Sequence, residues 1–175
     1  MNTTANKITL LRIILVPVFL ILEYAGYTTA AFIVYVLASL SDLADGYIAR
    51  HYNQITVIGK FMDPLADKML VLSAMCILIE TGTMPAWAVA AVIFREFAVS
   101  GLRLIAAQKN IVIAAAQSGK KNTACTMVCL GLMLLLLSRP QPLLNGICTG
   151  LILMTTLYSG FEYFKNNIQV FKESE

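Results

Sequence analysis

Four aspartates stand in two pairs within 26 residues: Asp42-Leu-Ala-Asp45-Gly46 and Gly59-Lys-Phe-Met-Asp63-Pro-Leu-Ala-Asp67. Carboxylate oxygens are hard donors. Magnesium usually takes one or two of them, completed by substrate phosphate and water. Four carboxylates would serve two ions, the arrangement that clamps the attacking and leaving oxygens of phosphoryl transfer. The plain alternative is a set of ion pairs with Arg50, Lys60 and Lys68. Such pairs contribute little to stability and need no regular spacing. The spacing therefore points to metal-assisted chemistry on a phosphorylated substrate.

The setting makes these acids expensive. The chain is 58% hydrophobic and 13% charged, with a mean hydropathy of +0.75, which excludes an ordinary soluble domain. An aspartate at a bilayer-spanning helix centre costs roughly 2.5 to 3.5 kcal/mol, so four need a compensating partner. A formal charge of +3 on 175 residues gives no reason to expect nucleic-acid binding. That length allows one membrane domain over 1–175 and no sizeable soluble one. Cys76, Cys125, Cys129 and Cys148 all fall in apolar segments and read as packing residues.

Six apolar stretches approach the roughly 20 residues a helix needs to cross a bilayer: 7–25, 28–50, 61–80, 84–107, 121–138 and 143–165. Their continuity favours helices over a barrel, so the expected fold is all-α with six transmembrane helices. Twelve of the thirteen Lys and Arg residues fall towards one side of this arrangement, with Arg139 opposite. The positive-inside rule then places both termini and the even-to-odd connections in the cytoplasm.

On helices, Asp42 and Asp45 are i,i+3 and Asp63 and Asp67 are i,i+4, so each pair shares a face. Gly46 and Ala49 continue the first face and leave room for a ligand or another backbone. Asp63-Pro64 reads either as an N-cap with proline at the first helical position or as a helix interrupted at the proline. Both readings put Asp63 and Asp67 near a helix start. In span 4, Arg95-Glu96-Phe-Ala-Val-Ser100-Gly101-Leu-Arg103 sets two arginines a little over two turns apart. Lys120 and Lys121 begin span 5. Such cations suit a second, phosphate-bearing substrate. An ion pair with Glu96 or Glu162 is the competing reading for the arginines.

The run Asp42-x2-Asp45-Gly46-x2-Ala49-Arg50-x8-Gly59-x3-Asp63-x3-Asp67 resembles the signature of the CDP-alcohol phosphotransferases, with every position filled. The resemblance implies a cytoplasm-facing site in a bacterial membrane enzyme, usually a homodimer, that binds a CDP-linked lipid with Mg2+ or Mn2+. It implies Asp42, Asp45, Asp63 and Asp67 as metal ligands, with Asp67 also the general base. Asp45, Gly46, Ala49, Arg50 and Gly59 would lie along the CDP moiety. The stretches 8–19 and 95–120 further resemble one branch of the family, whose donor is CDP-diacylglycerol and whose acceptor is sn-glycerol 3-phosphate. In that branch Arg95, Arg103, Lys120 and Lys121 would hold the acceptor phosphate. The branch has Gly-Lys-x-Lys-Thr where this chain has Gly119-Lys120-Lys121-Asn122-Thr123, so an asparagine replaces the second lysine. Thr126, Asn110 and Ala5 also depart from it.

Two other classes also use intramembrane acids. An ion-coupled transporter would spread them through the membrane depth, yet the last three spans carry only Glu96 and Glu162. A membrane prenyltransferase would use two separated acidic motifs in a larger bundle and leaves Gly46-x2-Ala49-Arg50 unexplained.

Overall fold

The computed structural model describes the backbone of residues 4–51, 57–109, 113, 116–139 and 141–169, and the side chains of 8–41, 65–109, 113, 116–139 and 141–169. Within them the chain is all-helical: α1 Thr4–Tyr24, α2 Thr28–His51, α3 Val57–Glu80, α4 Ala86–Gln108, α5 Gln117–Leu135 and α6 Pro142–Asn166. Six helices were expected, and each overlaps its expected stretch. Three begin a turn or so before the apolar runs, α1 at Thr4, α3 at Val57 and α5 at Gln117, because turns interrupted by polar residues or glycine continue the helix that the hydrophobic pattern leaves out.

Two helix ends follow from glycine. At Gly26, with φ +82°, the backbone N–H groups of Gly26 and Tyr27 return to the carbonyls of Glu23 and Leu22. At Gly82, with φ +68°, those of Gly82 and Thr83 return to Ile79 and Leu78. This is the Schellman pattern, which satisfies the last carbonyls of α1 and α3 and needs a residue without a β-carbon at the left-handed position.

The chain forms two compact units, residues 1–83 with 130–141, and residues 84–129 with 142–175. In the first, α2 runs antiparallel to α1: Arg12 Nε, early in α1, donates to Ser41 Oγ, late in α2, at 3.2 Å. Tyr24 Oη donates to Glu80 Oε2 at 2.6 Å, pairing the ends of α1 and α3, which therefore run the same way. Phe19, Ala31, Tyr35, Ala38, Leu70 and Ala74 fill the space between them. In the second unit Arg95 and Arg103 of α4 meet Ser159 and Tyr163 of α6 in the same order, so these helices are parallel. The start of α5 meets the later half of α6, through Asn122 and Thr156, and runs against both.

Polar groups are buried beside the apolar core, and large apolar side chains stand on the outside. Arg12 and Thr156 are fully buried, as are Thr9, Asn122, Thr126, Thr149 and Ser159. Phe94, Phe97, Leu143, Met154 and Phe161 are largely exposed. Interhelical polar contacts inside an apolar exterior are how helices associate where hydrophobic burial gives no drive. Among the described residues, α6 is by length and composition long and apolar enough to cross a membrane, with a shorter apolar stretch at Thr28–Ser41.

The buried hydrogen bond from Thr156 Oγ1 to Asn122 Oδ1, at 3.1 Å, joins α5 to α6. Thr156→Val keeps the shape and removes the donor, so reversible unfolding in mixed micelles is expected to show a loss of about 0.5 to 1.5 kcal/mol.

Candidate active site

Asp42, Asp45, Gly46, Ala49 and Arg50 lie on α2, and Gly59, Asp63 and Asp67 on α3. Both helices run unbroken through these positions, so the i,i+3 and i,i+4 pairs each share a face. The antiparallel course of α2 brings its aspartate-bearing end and the beginning of α3 to the same end of the first unit. The helix also corrects one expectation. It starts at Val57 and continues through Pro64. Asp63 is therefore no N-cap, and the pair sits a full turn or more inside the helix. Proline is tolerated there at the loss of one backbone bond.

Of this set, the Asp67 side chain is among the described residues and the others' side chains lie outside them. Asp67 is half-buried, with Oδ1 shielded from solvent. Among the described residues no three His, Cys, Asp or Glu side chains form a metal group. The chemistry of the full donor set nevertheless fits a hard divalent cation. It consists of carboxylates alone, paired at helical spacing on neighbouring helices of one unit.

The second unit organises the basic residues. Arg95 projects from α4 with its side chain 11% exposed. Its Nη2 donates to Ser159 Oγ at 3.0 Å, and its Nη1 pairs with Glu96 Oε1. Ser159 passes its own proton to the carbonyl of Thr156 at 3.2 Å, so its oxygen is held as an acceptor. Arg95 Nε is buried and has no hydrogen-bond partner among the described residues. A guanidinium has five N–H groups in one plane. Two are engaged here, which fixes the plane and leaves Nε without a partner among the described residues.

Gly160 makes room for this arginine: a β-carbon there would lie 3.1 Å from Arg95 Cγ. At Gly119, where α5 passes, the same distance to Arg95 Nη2 is 3.7 Å. Arg103 is exposed. Its Nε donates to Tyr163 Oη at 2.9 Å, and its guanidinium carbon lies 5.4 Å from that ring's centroid. Tyr163 is held in turn by Val99, Leu102 and Ala106.

The expected competition between substrate and ion pair thus has a divided outcome. Arg95 does pair with Glu96, whereas neither arginine pairs with Glu162 among the described residues. Lys120 and Lys121 are both exposed on α5, and they do not share a face with each other. Lys121 lines a groove between α5 and α6 whose lining does not include Arg95. Asn122, the departure from the Gly-Lys-x-Lys-Thr stretch, is buried against Thr156 instead of facing an anion.

Residues 2–158 match the sequence profile of the CDP-alcohol phosphatidyltransferases. This chain belongs to that family. Within the CDP-alcohol phosphatidyltransferases it is similar to a CDP-diacylglycerol–glycerol-3-phosphate 3-phosphatidyltransferase of Bacillus subtilis strain 168, 40% identical over 188 residues and 97% of both chains. A protein of Rickettsia typhi with the same name is 33% identical, over 94% of this chain and 97% of the relative. A probable phosphatidylglycerophosphate synthase of Mycobacterium tuberculosis H37Rv is 36% identical, over 91% of this chain and 78% of the relative.

The sequence reading missed Ser159, Gly160 and Tyr163. Their signal was present: a polar and small-residue face on α6, at i, i+1 and i+4, in an otherwise apolar helix. Arg12 was also undervalued as one of many orienting cations, for it is wholly buried one residue short of Asp42's place on α2. A side chain at position 160 would have to displace Arg95, so Gly160→Leu is expected to cost about 1 to 3 kcal/mol in equilibrium unfolding.

Proposed function

We propose that this chain is a membrane-embedded, divalent-metal-dependent enzyme that transfers the phosphatidyl group of CDP-diacylglycerol to sn-glycerol 3-phosphate, giving phosphatidylglycerophosphate and CMP. The observation that carries the acceptor choice is the end-to-end similarity to relatives of that name. The filled aspartate signature supports the donor and the reaction class.

In this reading Asp42, Asp45, Asp63 and Asp67 hold Mg2+ or Mn2+, two ions for four carboxylates. The bound metal supplies electrostatic stabilisation of charge on the transferring phosphoryl group. Asp45, Gly46, Ala49, Arg50 and Gly59 lie along the CDP moiety, the small residues giving close approach and Arg50 a planar fork for phosphate. Asp67 takes the proton of the acceptor hydroxyl. Arg95, Arg103 and Lys120 hold the acceptor's phosphate. The Nε of Arg95, without a partner among the described residues, supports this most directly. Lys121, grouped with them on sequence, faces the α5–α6 groove and is a weaker contact.

Six helices of 19 to 25 residues, each about 29 to 37 Å long, support six membrane spans, as do the large apolar side chains on the exterior. The orientation puts the aspartates, both termini and most basic residues on the cytoplasmic side of a bacterial membrane. A homodimer belongs to the same reading.

The test is CMP release by the purified protein from CDP-diacylglycerol, with glycerol 3-phosphate set against serine, inositol phosphate and phosphatidylglycerol. Release with glycerol 3-phosphate, abolished by chelation and restored by magnesium or manganese, is expected. Release with inositol phosphate alone would overturn the acceptor, and none with any acceptor would overturn the reaction class. Asp67→Asn is expected to slow turnover by roughly 10²- to 10⁴-fold, and full activity would remove it from the base role. Ser159→Ala, which unfixes Arg95, is expected to raise the KM for glycerol 3-phosphate by about two- to tenfold. The KM for CDP-diacylglycerol should move far less, and Ser159→Thr should recover most of the loss.

A further inference from the structure

A groove of about 410 Å³ lies between α5 and α6 within the second unit. Lys121 and Ser118 line it from α5, and Met154, Tyr158 and Glu162 from α6. Its size falls among small-molecule sites, roughly 300 to 1,000 Å³. Two polar atoms at its wall, Ser118 Oγ and Glu162 Oε2, are shielded from solvent and have no hydrogen-bond partner among the described residues. Buried polar groups are as a rule satisfied, so an unsatisfied pair in one groove calls for a ligand that satisfies both. Lys121 adds a cation on the wall opposite Glu162.

The groove is separate from the place of Arg95. That side chain meets α5 and α6 at Gly119, Ser159 and Gly160, none of which lines the groove, although Asn122, Thr155 and Glu162 of the lining stand one turn away from them. It also opens beside apolar surface: Met154 is 72% and Tyr158 66% exposed. Its level is the end of the unit that carries Lys109, Lys120 and Lys165. If the helices span the membrane as proposed above, this is the cytoplasmic interface. A ligand there would have its polar part between Lys121 and Glu162 and its apolar part along Met154.

Charge complementarity selects the polar part. The Lys121 cation, the unpartnered Ser118 hydroxyl and the Glu162 carboxylate, among a lining that also holds Gln117, Asn122 and Thr155, match a ligand with one phosphate and one amine. A primary ammonium can donate a hydrogen bond to Glu162 Oε2, a quaternary one cannot, and a glycerol headgroup offers no positive charge.

We propose that the α5–α6 groove binds the headgroup of a glycerophospholipid carrying a primary amine, its phosphodiester on Lys121 and Ser118 and its ammonium on Glu162. The proposal rests on the membrane reading and is independent of the acceptor.

The experiment embeds the full-length protein in nanodiscs of equal parts phosphatidylethanolamine, phosphatidylcholine and phosphatidylglycerol, and reads retained lipid by native mass spectrometry. The wild type is expected to retain phosphatidylethanolamine several-fold over the other two. Glu162→Gln should erase that preference, and Lys121→Gln should lower retention of all three. Millimolar sn-glycerol 3-phosphate should displace nothing. Equal retention by the wild type overturns the proposal without needing any variant, as does a preference that survives Glu162→Gln. Displacement by glycerol 3-phosphate would assign the groove to a soluble phosphate instead. Failure to embed, with no lipid of any kind retained, would overturn the membrane reading as well.

Discussion

A charged side chain in an apolar helix must be met by a partner, because neither lipid nor a packed interior solvates it. That constraint accounts for where the polar residues of this chain go. Arg12 is buried with its Nε on Ser41 Oγ. Arg95 is shared between Glu96 and Ser159. Asn122 and Thr156 satisfy each other in the interior. Large apolar side chains such as Phe94, Phe97, Leu143 and Phe161 stand on the exterior as well as in the core, in keeping with the composition.

Arg95 shows how the constraint would serve the proposed binding as well as folding. An arginine fully neutralised by a carboxylate would be a structural strut, and one fully exposed would lose most of its attraction to solvent screening. Here a neighbouring glutamate and a buried serine hydroxyl take one N–H each, and Nε has no partner among the described residues. The guanidinium plane is thereby set before any anion arrives, so less rotamer freedom is lost on binding. Gly160 belongs to the same device, since any β-carbon there would press on the arginine's stem.

The aspartates work on the same principle from the other direction. Four aspartates on the backbone of α2 and α3 are the carboxylates that, in the proposed reading, cations would hold together. Their helical spacing on α2 and α3 serves a ligand set more readily than a salt-bridge network. Family membership and the similarity to phosphatidyltransferases of B. subtilis and R. typhi agree with that chemistry.

Much of this was legible in the sequence. Hydrophobic runs marked six helices to within a few residues, and the aspartate signature pointed to the family, because each of these is a local property of adjacent turns. The helix through Pro64 was not legible. A proline after an aspartate looks like a helix start, and only the continuous turns from Val57 exclude it. Nor could the partners of Arg95 and Arg103 be read, since Ser159 and Tyr163 lie about sixty residues away and meet them only when α4 and α6 pack in parallel. The opposite fates of Lys120, Lys121 and Asn122, neighbours in the chain, likewise depend on which face of α5 is covered. Sequence by itself determined the helices and the donor atoms. Tertiary structure decided which of those atoms are held, and which are left to bind, because pairing is a matter of distance between helices and not of spacing along one.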